Sequence, residues 1–239
     1  MSAWFEEIDY RQTPIGELIL QRRRIAALDN REVYEVKLGD EYLMSSLFYE
    51  AEVALADRCL GRLSGEDWNV VVGGLGLGYT TVAALKFPQV QRLFLVEYLQ
   101  PVIDWHVDQL TPNGRELSAD PRCIYHQADF FELSRGAGFD PMNEVALFDA
   151  VLLDIDHTPT DVLAPAHADF YTPAGLTDLA RHIKPGGVFG LWSNEAPTAE
   201  FLELLEQVFG SAEGETVSFD NPIQGSTSIN GLYTAMKIQ

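Results

Sequence analysis

The pattern of hydrophobic and polar positions changes texture near residue 60. Before it, apolar residues come in short runs. Gly16-Glu17-Leu18-Ile19-Leu20 predicts one strand, and Arg24-Ile25-Ala26-Ala27-Leu28 a second, after consecutive arginines. Asp29-Asn30 is a turn signal. Glu32–Leu38 alternates with the period of a half-buried strand. The expectation is an antiparallel meander that Gly39-Asp40 breaks. From Leu47 to Leu60, the residues Leu47, Phe48, Val53, Ala54, Ala56 and Leu60 fit a helix, closed by Gly61 and Ser64-Gly65.

Beyond residue 60, fully apolar runs alternate with helical patterns. Asn69–Val72, Arg92–Glu97, Arg122–Gln127, Phe148–Asp154, Val188–Trp192 and Gly231–Ile238 read as strands. Thr80–Lys86, Pro101–Leu110, Pro173–Ile183 and Ala199–Phe209 read as helices. The last carries Phe201, Leu204, Leu205 and Val208 on one face. Strands that are apolar throughout, with helices between them, predict an α/β domain with a mostly parallel sheet covered on both faces. The expected organisation is a small β-meander with a linking helix over 1–60, followed by one larger domain over 61–239.

Composition narrows the function. The 239 residues are 46% hydrophobic and 22% charged, which fits a globular chain and excludes disorder, collagen and coiled coil. The apolar runs are far short of the ~20 residues that span a membrane. The acidic N-terminal stretch, Met1 to Glu7, has no basic region ahead of an apolar one and does not read as a signal peptide. Sixteen Lys and Arg against 36 Asp and Glu leave a net charge of −20. That repels phosphate backbones and anionic membrane surfaces, so neither nucleic acid nor membrane is an expected partner. Cationic small molecules are attracted, although excess acid also serves solubility alone. Cys59 and Cys123 match no metal spacing and read as reduced thiols, which places the protein in the cytoplasm.

The strand ends carry the candidate chemistry, because ligands of open parallel sheets bind outside the carboxyl ends. Gly73-Gly74-Leu75-Gly76-Leu77-Gly78 lies between a strand and a helix, where glycines let backbone approach a ligand. Glu97 ends the next strand, at a spacing suited to accepting from ribose hydroxyls. Glycine loop and acid together indicate an adenosine-type ligand, without separating a nicotinamide cofactor from a sulfonium one. Asp129 follows the third strand, where an acid can accept from an adenine amine. Asp154-Ile155-Asp156-His157 follows the fourth and is the densest polar cluster.

A further acid site and the Lys184-Pro185-Gly186-Gly187 turn make the chain resemble class I S-adenosylmethionine-dependent transferases, and among these the spermidine synthase (polyamine aminopropyltransferase) family. Pro14-Ile15-Gly16 opens a meander similar to that family's small β-domain. Gly73–Gly78 resembles its glycine motif, Val96-Glu97 its ribose acid, Ala128-Asp129 its adenine-side pair and Leu153-Asp154 its catalytic aspartate. Ser193-Asn194-Glu195-Ala196-Pro197 and Leu232–Lys237 resemble its fifth and seventh strands. The resemblance implies a doubly wound, mostly parallel, seven-stranded Rossmann-like sheet, with S-adenosylmethionine or its decarboxylated form as co-substrate, no metal, and a homodimer. The departures lie in the amine half. Gly76 stands where the family has an aspartate that holds the aminopropyl amine, and His157 where it has a second acid. Phe48-Tyr49-Glu50 matches its Tyr-His-Glu stretch only loosely, and Asp220-Asn221-Pro222-Ile223 lacks its polyamine tyrosine.

Attack of a nucleophile on a carbon beside a sulfonium is helped chiefly by positioning and desolvation. An amine nucleophile must also lose a proton, and Asp154 is the candidate acceptor. Asp156 alternates with it and points elsewhere. His157 reads equally as a base near neutral pH and as an exposed loop histidine. Asp154, Asp156 and His157 are acceptable metal ligands, but acids two apart face opposite ways. His106, His126, His167 and His182 read as structural. Trp68 and Trp105 read as core, and Trp192 also as a pocket wall. Three functions remain: an aminopropyl-type transferase acting on a small-molecule acceptor such as a cationic amine, a small-molecule methyltransferase using S-adenosylmethionine, and a non-enzymatic nucleoside-binding module.

Overall fold

The structure, a computed structural model, describes residues 4–143 and 146–238. Met1–Ala3, part of the N-terminal stretch read for a leader, lie outside the described residues. The chain opens with four antiparallel strands, β1 (Phe5–Thr13), β2 (Gly16–Ile25), β3 (Arg31–Leu38) and β4 (Glu41–Ser45), adjacent in that order. The strand expected over Arg24–Leu28 is corrected. Arg24 and Ile25 finish β2, and Ala26–Leu28 form one 3-10 turn before Asp29 and Asn30, both at positive φ. The arginines do not interrupt β2, because its neighbours neutralise them. Arg22 bonds Glu6 on β1 at 2.7 Å and Arg23 bonds Glu35 on β3 at 2.7 Å. Gly39-Asp40 does not end the meander either. It turns β3 back into β4.

Helix α1 (Glu50–Leu60) leads to a seven-stranded sheet formed by β5 (Trp68–Gly73), β6 (Val90–Glu97), β7 (Cys123–Gln127), β8 (Phe148–Leu153), β9 (Ile183–Ser193), β10 (Gly210–Asn221) and β11 (Ser226–Lys237). Its order is β10-β11-β9-β8-β5-β6-β7. β11 runs antiparallel to both neighbours and the other pairings are parallel. Between them lie α2 (Tyr79–Leu85), α3 (Gln100–Val107), α4 (Gly114–Ala119), α5 (Phe130–Arg135), α6 (Pro173–Ala180) and α7 (Ala199–Phe209). This is the expected mixed, mostly parallel α/β sheet with a separate small antiparallel sheet ahead of it.

Alternate residues of one strand feed two cores. Val70 and Val72 of β5 pack with Leu55 and Cys59 of α1, Ala83 of α2 and Trp105 of α3. Val71, between them, packs with Phe130 of α5, Leu176 of α6 and Phe201 of α7. Burial on both faces is why these strands read as unbroken apolar runs. Leu18, Leu20 and Val36 of the small sheet enter the first core. The small sheet is thereby fixed over the carboxyl ends of β5 and β6, where it can wall a site. The buried face of α1 differs from the expected one. It is Ala51, Glu52, Leu55, Ala56, Cys59 and Leu60, with Val53 and Ala54 only half-buried.

Candidate active site

From β5 the connections run one way to β6 and β7, and then the chain returns to place β8 on the other side of β5. Such a reversal leaves a crevice outside the strand ends. The glycine loop forms its floor. Gly74 has φ +93°, and a Cβ there would strike the carbonyl oxygen of Asp154. The ends of β5 and β8 therefore approach at a distance that only glycine permits. The Asp154 N–H also donates to the Gly73 carbonyl at 2.8 Å. Gly76 has φ +47°, and a Cβ there would strike Met44 Sδ. That sulfur accepts the Leu77 N–H at 2.7 Å, so a β4 side chain covers the loop.

The crevice is a cavity of about 310 Å³, walled on one side by Ile15, Leu18, Val36 and Leu38 of the small sheet. Of the residues singled out in the sequence, Gly74, Gly76, Glu97, Asp129, Asp154 and His157 line it, and so does Trp192. Gly73 and Gly78 stand behind the wall. The first packs against Phe130 and Leu153, the second against Leu117 and His106. Asp156 faces away from the cavity. It is buried and accepts from the Leu163 N–H and from Tyr171, with His167 Nδ1 at 2.8 Å. His157 Nε2 lies 3.8 Å from Glu41 of β4. His106 holds the glycine loop by a 2.9 Å bond to the Gly76 carbonyl, and burial pushes its pKa down to about 4. His126 and His182 bond backbone carbonyls. His167 is in the cavity wall, stacked on Phe131 with ring centroids 3.9 Å apart.

The acids differ in what they already hold. Glu97 accepts the Leu75 N–H at 3.0 Å on one oxygen and the Leu99 N–H at 2.8 Å on the other. A carboxylate has about four acceptor positions, so acceptor capacity remains for a ligand. Burial raises its pKa, and these backbone donors oppose the rise. Asp129 caps α5. Its Oδ1 takes the Phe131 and Glu132 N–H groups at 2.8 and 3.1 Å, while no protein donor among the described residues reaches Oδ2. Asp154 accepts from Thr80 Oγ1 at 2.8 Å, and burial lifts its pKa to about 6. Glu52 of α1 also lines the cavity. Burial, and then the Asp154 charge, lift its pKa to about 8.

Glu52, Met44 and Thr80 carry no motif in the sequence, and His167, which reads there as structural, lines the cavity. One signal for Glu52 was available. It stands three and four residues before Leu55 and Ala56, inside the apolar stripe of its helix, where an unexplained acid marks a site. Among the described residues, no group of three or more His, Cys, Asp or Glu is placed to hold a metal ion.

No protein-family model matches the chain. It is 34% identical over 146 residues to a polyamine aminopropyltransferase of Nitrosomonas europaea, covering 59% of this chain and 41% of that protein. Over 192 residues it is 23% identical to putrescine N-methyltransferase 3 of Nicotiana tabacum, covering 69% of this chain and 47% of that one. The chain thus spans less than half the length of these two relatives. A crystal structure of spermidine synthase with the transition-state analogue AdoDATO superposes with a TM-score of 0.73 at 19% identity, over 97% of this chain and 73% of that one. Spermidine synthase from Thermotoga maritima gives 0.70 at 19%, over 97% and 72%.

Proposed function

The chain is spermidine synthase-like in sequence and fold, and from that premise we propose that it is a transferase moving an alkyl group from a sulfonium nucleoside to an amine. The observation that carries this is the cavity at the strand ends that Gly74, Glu97, Asp129 and Asp154 line together. Glu97 and the free oxygen of Asp129 offer acceptors for ribose hydroxyls and an adenine amine. Apolar walls exclude water from the sulfonium. Asp154, with a pKa of about 6, is a base near neutral pH that a substrate amine can reach. The acidic surface favours a cationic acceptor over a nucleic acid or an anionic membrane. No helix among the described residues is long and apolar enough to cross a membrane. A cytoplasmic, homodimeric protein that needs no metal completes the reading. So does the division at residue 60, although α1 lies on the small-domain side of it and shares the core of the larger sheet.

Methyl transfer from S-adenosylmethionine itself is the second reading. It is favoured by Gly76 and Met44, which put a thioether where the resemblance implies an aspartate. The test is calorimetric binding of both sulfonium nucleosides and of their products, methylthioadenosine and S-adenosylhomocysteine, followed by turnover with diamines. Aminopropyl transfer from the decarboxylated nucleoside supports the first reading, and methyl transfer the second. Tight nucleoside binding with no transfer to any amine leaves a binding module. No nucleoside binding overturns all three.

A further inference from the structure

Among the described residues, Glu52 is the one carboxylate of the cavity wall that no other residue helps to hold charged, its own backbone N–H opposing burial only in part. It is 7% exposed and lies on the buried face of α1. Among the described residues it has no ion-pair partner, and no other residue donates a hydrogen bond to its side chain. Each other acid of the wall has donors: backbone N–H groups for Glu97 and Asp129, the Thr80 hydroxyl for Asp154. The neighbours of Glu52 worsen its position. Asp154 faces it, Glu50 adds a second negative charge, and Tyr79 contributes no cation. Among the described residues the cavity wall contains no lysine or arginine; its basic side chains are His157 and His167, and neither hydrogen-bonds Glu52. Burying an unpaired carboxylate is costly, and a helix interior accepts Leu or Gln without that cost. Burial is met here by holding the Glu52 carboxyl largely protonated, so its charge is stabilised only when a cation enters the cavity.

The shape of the wall limits where that charge sits. Met44 fills the space over Gly76 and makes that part of the loop apolar. Negative charge is thus concentrated on the side where Glu52 and Asp154 meet. We infer that Glu52, together with Asp154, seats a primary ammonium group of the ligand. This rests on the reading above that the cavity takes a nucleoside and an amine. The ammonium belongs to the nucleoside's side chain or to the acceptor, and the chemistry of the seat is the same for both. Three N–H donors of an ammonium match two carboxylates that lack other cationic partners.

Calorimetry on wild type and Glu52→Gln tests this with three probes. They are methylthioadenosine, the same nucleoside thioether carrying an aminopropyl ammonium, and putrescine with and without methylthioadenosine. Glu52→Gln keeps the side-chain shape and removes the charge. It is expected to leave methylthioadenosine within about 3-fold and to weaken an ammonium ligand ~10–100-fold, the scale of a lost charge-assisted hydrogen bond. Loss on the aminopropyl nucleoside alone places the seat on the nucleoside side, and loss on putrescine alone places it on the acceptor side. Unchanged affinity for both overturns the seat and leaves the nucleoside reading standing. Failure of wild type to bind methylthioadenosine overturns the nucleoside reading instead, and the seat is then judged on putrescine alone. If the variant does not fold, wild type is titrated at pH 7 in two buffers of different ionisation heat. Proton release with an ammonium ligand, and none with methylthioadenosine, supports the seat. No release with either ammonium ligand overturns it.

Discussion

Glu97 holds the glycine loop and faces the cavity at once, so its replacement separates two roles. Glu97→Ala leaves the Leu75 and Leu99 N–H groups without their acceptor and removes the oxygens offered to a ribose. Methylthioadenosine binding should weaken by ~1–3 kcal/mol, the cost of unpaired polar groups, and calorimetry reads it directly. Normal affinity would take Glu97 out of the nucleoside site. Asp154 is different, because its one protein donor among the described residues is the Thr80 hydroxyl. Asp154→Asn retains the shape and loses the proton acceptor. Turnover on an amine should fall ~10²–10⁴-fold, the range for a general base, with nucleoside affinity little changed. His157→Ala should cost less, and a larger loss there would move the base to the histidine. These acids were legible in the sequence because each directly follows an apolar run at a strand end. Glu52 was not, since its helix was read by its apolar residues and the acid was averaged into the polar ones.

The elements that were misread share a physical cause. β1 mixes charges on both faces (Phe5-Glu6-Glu7-Ile8-Asp9), and β10 is largely exposed, so neither shows the burial pattern that marks a strand. β4 hid behind Gly39-Asp40, which makes a hairpin turn as readily as it ends a sheet. α4 and α5, six residues each, are shorter than two helical turns and leave almost no periodicity to detect. By contrast β5, β6, β8 and α7 were clear, because burial on both faces or on one stripe fixes their composition. A consequence at this scale concerns the junction of β4 with the glycine loop. Gly76 is left-handed and Met44 fills the place of its missing side chain. Restoring an acid by Gly76→Asp should therefore lower the melting temperature, through both φ and the clash with Met44. Asp tolerates the left-handed region better than most residues, so the clash is the larger part. Adding Met44→Ala should recover a measurable part of that loss. If thermal denaturation shows the double variant to be less stable than the sum of the singles, Met44 is not what opposes the side chain.

At the scale of the whole molecule, a cavity lined by buried carboxylates leaves its mark on stability. Glu52 and Asp154 have folded pKa values of about 8 and about 6, above their ordinary 4.5 and 3.8, because burial opposes their charged forms. A group whose folded pKa is raised binds more protons folded than unfolded between the two values, so stability falls as pH rises through that window. His106 works in the opposite sense. Its folded pKa of about 4 lies below the ordinary 6.5, so stability rises between those values. His182 is shifted the same way by burial. The two trends oppose each other between about pH 4 and 6.5. Above 6.5 the unfolded histidines lose their remaining protons over about one pH unit, and Glu52 becomes the dominant group of this set still titrating. Cys59 and Cys123, whose folded pKa is lifted by burial to about 12 from 9.0, do not lose stability until still higher pH. The ligand-free protein should therefore lose melting temperature steadily from pH 6.5 to 8. Glu52→Gln should remove the slope and be the more stable protein at pH 8. An ammonium ligand should remove it in wild type, since its charge stabilises the carboxylate that burial penalises. Differential scanning calorimetry at matched ionic strength decides it. Salt must be held fixed because the net charge of −20 makes self-repulsion salt-dependent. A wild-type profile that is flat over this window would show that Glu52 is already ionised without an ammonium ligand, and would remove this argument for the seat.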